Sequence, residues 1–229
     1  MARLYKLLTV GHAVLALSKS GRSADYDDLV QSNLLAQLVA NKKIEDAKVE
    51  SWYDAYIAVL DDFWVRSVKF REDFSVAQAG TGSALGWATT VLANNAGNDP
   101  VLAGLVAYAA RMPDGVSAVQ TLPEPTGEEP MQTPRPALQR VRLLTVAAQS
   151  PTSISSLYLE FKTRQTLAAN PWSQRFASAE VEGPVCVRYA RATLSQTLYA
   201  LSRQAVTRKL GDRLAQNVAP LAEAIDIGV

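Results

Sequence analysis

Val49, Trp52, Tyr53, Tyr56, Val59, Leu60, Phe63 and Trp64 recur at three- and four-residue steps, and this aromatic ridge constrains the fold more than any other stretch of the chain. Lys48, Ser51, Asp54, Ala58, Asp61 and Asp62 fall on the opposite side. The spacing predicts an amphipathic helix whose ridge lies against a second layer, because burying each large side chain is worth roughly 1.5–3 kcal/mol. The aromatics therefore read as core rather than as a ligand box. Directly after the ridge the period shortens. Val68, Phe70, Phe74 and Val76 alternate with Lys69, Arg71, Asp73 and Ser75, which predicts a strand with Glu72 as the one inward-pointing exception.

Around this pair the chain divides into two patterns. Upstream, Leu4 to Lys19 reads as a helix, and Tyr26, Leu29, Val30, Leu34 and Leu38 mark another, stopped near Asn41. Downstream, a helix over roughly residues 83–95 precedes one opened by Asp99-Pro100, an N-cap followed by a first-turn proline. Residues 122–136 hold five of the eleven prolines and read as a long surface connection. Beyond it, alternation at Val141–Thr145, Ile154–Leu167, Phe176–Glu182 and Val185–Tyr189 predicts an antiparallel meander. A helix from Leu194 to Leu210 then stops at Gly211, and the tail is either a helix broken at Pro220 or a short strand over Ala224–Ile227. The expected class is α+β: an N-terminal helical layer packed on a mainly antiparallel sheet with C-terminal helices. We expect a single unit over 1–229, with a mainly helical part over 1–121 and the sheet plus its C-terminal helix over 137–229.

Chemistry is sparse. The chain holds one histidine, His12, and one cysteine, Cys186, so the usual nucleophile, base and metal-ligand sets are missing and an intrachain disulfide is excluded. No catalytic, cofactor or metal site is expected. A net charge of +1 gives no strong overall field for nucleic acid or membrane. Gly80-Thr-Gly-Ser-Ala-Leu-Gly86 has the context of a phosphate turn but not the spacing of a dinucleotide fingerprint or a P-loop, and reads as a tight strand-to-helix connection. Asp61 and Asp62, adjacent on a helix, point about 100° apart and do not converge on an ion. Cys186 is the modification candidate, with burial as a small apolar residue the plainer reading.

Arginines carry more weight. Arg140, Arg142, Arg164, Arg175, Arg188 and Arg191 lie on or beside the predicted strands and form the candidate interface or anion-binding set. Arg188 and Arg191, three apart, point to opposite faces of an unbroken strand.

Two segments, SADYDDLVQSNLLAQLVANKKIEDAKVESWYDAYIAVLDDFW (Ser23–Trp64) and LSQTLYALSRQAVTRKLGDRL (Leu194–Leu214), resemble a loosely defined set of small bacterial proteins through the WYxxYxxVL helix and the terminal KLG. The chain departs from that set at Phe63, where a glycine is expected. No activity is attached to the set, so the resemblance implies no functional residue. The layout is also similar to cytolysin-type toxins, in which helices cover an antiparallel sheet, a likeness of architecture alone.

The leading expectation is a non-enzymatic protein acting by self-association or through a protein partner, since aromatic and arginine side chains are enriched at interface hot spots. The alternatives are a membrane-acting, toxin-like protein using the weakly charged helices of Ala77–Ala110, and a nucleic-acid-coating protein using the arginine-rich sheet. The MARLYKLLTVGHAVLAL start lacks a clean cleavage site, so cytoplasmic location as synthesised is expected, with secretion by a non-classical route as the alternative.

Overall fold

The first sixteen described residues form a hairpin rather than the expected helix. Strand β1 (Leu4–Val10) turns at Gly11-His12 into β2 (Ala13–Ser18). Gly11 has a φ of 57°, in the left-handed region that glycine tolerates. Every residue of β2 is buried because both faces of its sheet are covered, so the polar/apolar alternation that would have marked a strand is absent. A buried glutamine holds the turn. Gln37 donates from Nε2 to the Val10 carbonyl at 2.8 Å and accepts from the His12 amide at 2.9 Å.

The computed structural model describes residues 4–19, 23–76, 80–95, 99–112, 119–123 and 136–227. After the hairpin come α1 (Asp27–Glu45) and α2 (Trp52–Leu60), the latter capped by Ser51, whose hydroxyl accepts from the Asp54 amide at 3.2 Å. The aromatic ridge is thus a shorter helix than its periodicity suggests. Trp64 already belongs to β3 (Trp64–Phe74). A short strand β4 (Thr81–Ser83) leads into α3 (Ala84–Asn95), and Asp99 caps α4 (Pro100–Arg111) by accepting from the Leu102 amide at 3.1 Å. Strand β5 (Val119–Pro123) follows, then β6 (Gln139–Ser150), β7 (Ser153–Thr163), β8 (Arg175–Ala177) and β9 (Val181–Leu194). The chain closes with α5 (Gln196–Leu210), α6 (Arg213–Asn217) and β10 (Val218–Asp226).

The fold is α+β, with a mainly antiparallel sheet and helices from both ends of the chain. Its main sheet runs β10-β1-β2-β6-β7-β9-β3, with β5 paired to β6. Three of its strands, β1, β2 and β3, lie upstream of the prolines, where the sequence predicts one. One pair is parallel: β2 runs beside the Leu144–Ala148 half of β6, while β5 occupies the Gln139–Leu143 half of the same edge. The proline stretch therefore begins inside β5 and returns the chain to β6. Most of it, 124–135, lies outside the described residues. The tail is a strand, with Pro220 tolerated because β10 is at the sheet's edge.

Two cores flank the sheet. Helices α3 and α4 pack on Val141, Leu143, Leu157, Leu159, Val187 and Tyr189. Helices α1, α2 and α5 pack on Leu144, Val146, Ala148, Tyr158, Ala192 and Leu194. Alternate residues of one strand serve opposite layers.

Replacing Gln37 by leucine would leave the His12 amide and the Val10 carbonyl without their buried partner. We expect a loss of about 2–3 kcal/mol in chemical denaturation, and a loss near zero would show that the hairpin holds its turn unaided.

Candidate functional site

Strand register brings the polar residues of four strands together on the α2 side of the sheet. Arg142, Glu160, Cys186 and Asp73 form one cross-strand row, and Leu144, Tyr158, Arg188 and Arg71 form the next. Helix α2 lies over these rows. Trp52 stacks on Tyr158 with centroids 5.6 Å apart, and the Tyr53 ring meets the same tyrosine at 4.9 Å. The aromatic ridge read from the sequence is core, but its floor is ionic.

Glu160 is the hub of that floor. It accepts from Arg142 Nε at 2.7 Å and Tyr158 Oη at 2.6 Å through one oxygen, and from Arg140 Nη1 at 3.4 Å through the other. Arg142 is only 4% exposed. Its guanidinium also lies over the Trp52 ring, 5.9 Å from the centroid, and donates to Gln120 Oε1 at 3.4 Å. Gln120 in turn donates to Asn41, which also accepts from Trp52 Nε1 at 2.6 Å. One network thus links α1, α2, β5, β6 and β7.

Arg188 organises the neighbouring part. Its Nη1 donates to Asp54 at 2.5 Å, its Nε to Cys186 Sγ at 3.4 Å, and its guanidinium sits 4.9 Å from the Tyr53 centroid. Tyr53 Oη is buried without a hydrogen-bond partner, and burial pushes its pKa up to about 12. Arg71 donates to Asp73 from Nε at 2.7 Å, which holds that carboxyl below its ordinary value.

Beyond the start of α2 the surface sinks into an open cavity of about 290 Å³, whose lining includes Asp73, Glu160, Lys162, Cys186 and Arg188. It arises where the β7–β9 ladder loses register between Glu160 and Lys162, opposite the Gly183-Pro184 insertion. Cys186 is half-buried here, and burial pushes its thiol up to about 11 despite the Arg188 hydrogen bond. It is a protonated thiol at neutral pH rather than a nucleophile. His12 does not reach it. Strand β2, which follows His12, is separated from β9 by β6 and β7, which is roughly 14 Å at ordinary strand spacing.

The remaining arginines are dispersed. Arg191 points to the other face, as its spacing from Arg188 requires, and donates to Asp99 at 3.4 Å. Arg164 pairs with Glu182 at 3.2 Å and Arg175 donates to the Thr81 hydroxyl at 2.9 Å. The structure brings together Arg140, Arg142 and Arg188, with Arg140 and Arg142 sharing the Glu160 carboxylate and Arg188 held by Asp54. Glu160 was missed as their organiser, since nothing in YLEF reveals donors from another strand. Asp61 is ion-paired with Arg66. The Gly80–Gly86 turn holds no anion cradle: the Trp87 indole packs onto Gly82, Ser83 Oγ takes the Gly86 amide, and the Trp172 carbonyl takes the Leu85 amide. Among the described residues no group of three or more His, Cys, Asp and Glu is placed to hold a metal ion.

No family model matches the chain, and no curated protein matches it. Among solved structures, it is similar to the structure of the Evf virulence factor at 12% identity and a TM-score of 0.32, over 87% of this chain and 76% of that one. A likeness at that level leaves the site to be argued from its own residues.

Glu160→Ala would strand the Arg142 guanidinium in the interior, and we expect thermal or chemical denaturation to show a loss of about 3 kcal/mol. Alkylation of native Cys186 by iodoacetamide is expected to be slow at neutral pH and to accelerate as pH rises toward 11, because the protonated form is the stable one. Fast, pH-independent labelling would contradict this.

Proposed function

We propose that the chain works by association, with a second copy or with another protein, through the corner where β3 leaves the sheet open. The observation that carries this reading is the edge itself. Strand β3 is eleven residues long, and among the described residues only β9 pairs with it. An open edge of that length is a template for another strand. Val65 is 63% exposed on it. Trp64 pairs with Leu194, just before the α5 cap at Ser195, so the outward residues Leu198 and Leu201 begin at the same corner. Leu201 is 85% exposed. Apolar groups gathered beside an edge that no other described strand covers favour a partner surface over plain solvent. Lys69, Arg71, Glu72 and Asp73 along the strand discourage indiscriminate pairing and favour a charge-matched partner.

Catalysis is less well supported: the thiol is protonated, the imidazole is remote, and the carboxylates nearest the cavity floor are committed to arginines. A nucleic-acid-coating role fits poorly with guanidiniums already bound to carboxylates, because phosphate binding uses basic groups that give up counterions rather than internal partners. A membrane-acting reading draws on α3 and α4, whose only charged residue is Arg111. However, Leu102, Leu105 and Val106 are fully buried, so these helices would have to leave the core to meet lipid. No described helix is long and apolar enough to cross a membrane.

Light scattering coupled to size-exclusion chromatography tests the association. We expect a wild-type mass above that of the single chain, falling to the monomer in Val65→Lys combined with Leu201→Glu, with an unchanged thermal midpoint. A wild-type monomer at every concentration, with no captured strand or protein partner, would remove the reading, and dye leakage from liposomes would favour the membrane alternative.

A further inference from the structure

A second cavity, of about 270 Å³, opens between the C-terminal half of α1, the turn after it, and the end of α5. Its floor is apolar. Leu35 and Leu210 are buried, and Leu38 and Val39 lie partly exposed between them. Its rim carries Lys42, Lys43, Lys48, Lys209 and Arg213 against a single carboxylate, Asp46. Five cations against one anion give the rim a formal +4, on a chain whose total is +1. The groove is thus more positive than the chain as a whole.

Most of that charge is unspent. Asp46 is occupied by Lys48 at 2.7 Å and Lys42 at 3.5 Å, and the Lys48 hydrogen bond holds its carboxyl below the ordinary range. Lys43, Lys209 and Arg213 make no side-chain hydrogen bond or ion pair among the described residues. Lys43 is nonetheless half-buried, so its stem lies on apolar surface while its ammonium stays at the rim. Lysines in the last turns of α1 and α5 complement the helix dipoles, which accounts for where three of them sit in sequence. It does not account for an apolar floor, partly exposed at Leu38 and Val39, ringed by them. That combination is complementary to a ligand with an apolar body and one anionic end. The volume lies just under the usual range for drug-sized ligands, which suits one alkyl chain rather than two.

We propose that this groove binds a monomeric single-chain fatty acid of medium length, with its alkyl tail on Leu35, Leu38, Val39 and Leu210 and its carboxylate among Lys43, Lys209 and Arg213. The site is independent of the β3 edge, and either reading stands if the other fails. The tail excludes water from the floor, and the carboxylate neutralises heads that otherwise repel one another.

Isothermal titration of the full chain with decanoate, below its micelle concentration, tests the assignment. The wild type binds one decanoate saturably and binds decanol, which lacks the charge, more weakly. Lys43→Glu combined with Lys209→Glu weakens decanoate by about tenfold or more, as expected for reversing two partly solvated ion pairs, and leaves the thermal midpoint unchanged. Arg213→Glu, at an exposed position, serves if the double variant does not fold. Absence of saturable binding overturns the proposal, as does equal binding of decanoate and decanol or insensitivity to the charge reversals. Binding to vesicles of anionic phospholipid without binding of monomeric decanoate also overturns it in favour of a membrane surface. A change of oligomeric mass on charge reversal assigns the groove instead to a second copy of the chain.

Discussion

Water is excluded from most of both faces of the central strands, and most other features follow from that. Strands β6, β7 and β9 carry helices on each side, so a polar side chain on them finds its partner inside the protein or remains unsatisfied at a cost of a few kcal/mol. Arg142 is held by Glu160, Arg188 by Asp54, and Tyr189 by Asp99, which also caps α4. Each of these bonds joins a strand to a different strand or helix. The buried polar groups therefore act as alignment pins between layers that apolar packing alone would leave free to slide.

The same logic separates the two halves of the candidate site. Under α2 the Arg142 and Arg188 guanidiniums are enclosed and committed to Glu160 and to the more exposed Asp54, an arrangement suited to fixing a helix on a sheet. Past the start of α2, where Gly183 and Pro184 spread the β7–β9 ladder, they meet solvent and form an open cavity with a half-buried thiol. The most exposed apolar groups, Val65 and Leu201, lie elsewhere, at the β3 edge and on α5.

What was legible in the sequence was local. The α2 ridge, the Asp99-Pro100 helix start, the Gly211 stop and the opposed directions of Arg188 and Arg191 depend on neighbours within a few residues. The β1–β2 hairpin was hidden because two-sided burial erases alternation, leaving Gly11-His12 as the only punctuation. The parallel pairing of β2 with β6 spans more than a hundred residues and leaves no local trace. Glu160 was unreadable as a hub for the same reason: Arg142 reaches it only because β6 and β7 pair in one particular register. Gln37 lies inside a helix, and nothing in that local pattern shows that its amide anchors a turn in another element.

Strand β3 holds one more lesson. Between Arg66 and Val68 the ladder gains an extra residue, Ser67, whose hydroxyl donates to the Arg191 carbonyl. Ahead of that bulge the even-numbered side chains face the α2 layer, as Trp64 does; behind it the odd-numbered ones do, as Arg71 and Asp73 do. A single serine thus works as a railway switch, sending the strand's second half onto the opposite track. Ironing the bulge flat with Ser67 retained would slide the second half by one residue, carrying Phe70 and Phe74 to the ionic side and Arg71 and Asp73 to the greasy one, whereas deleting Ser67 would leave both halves on their present faces.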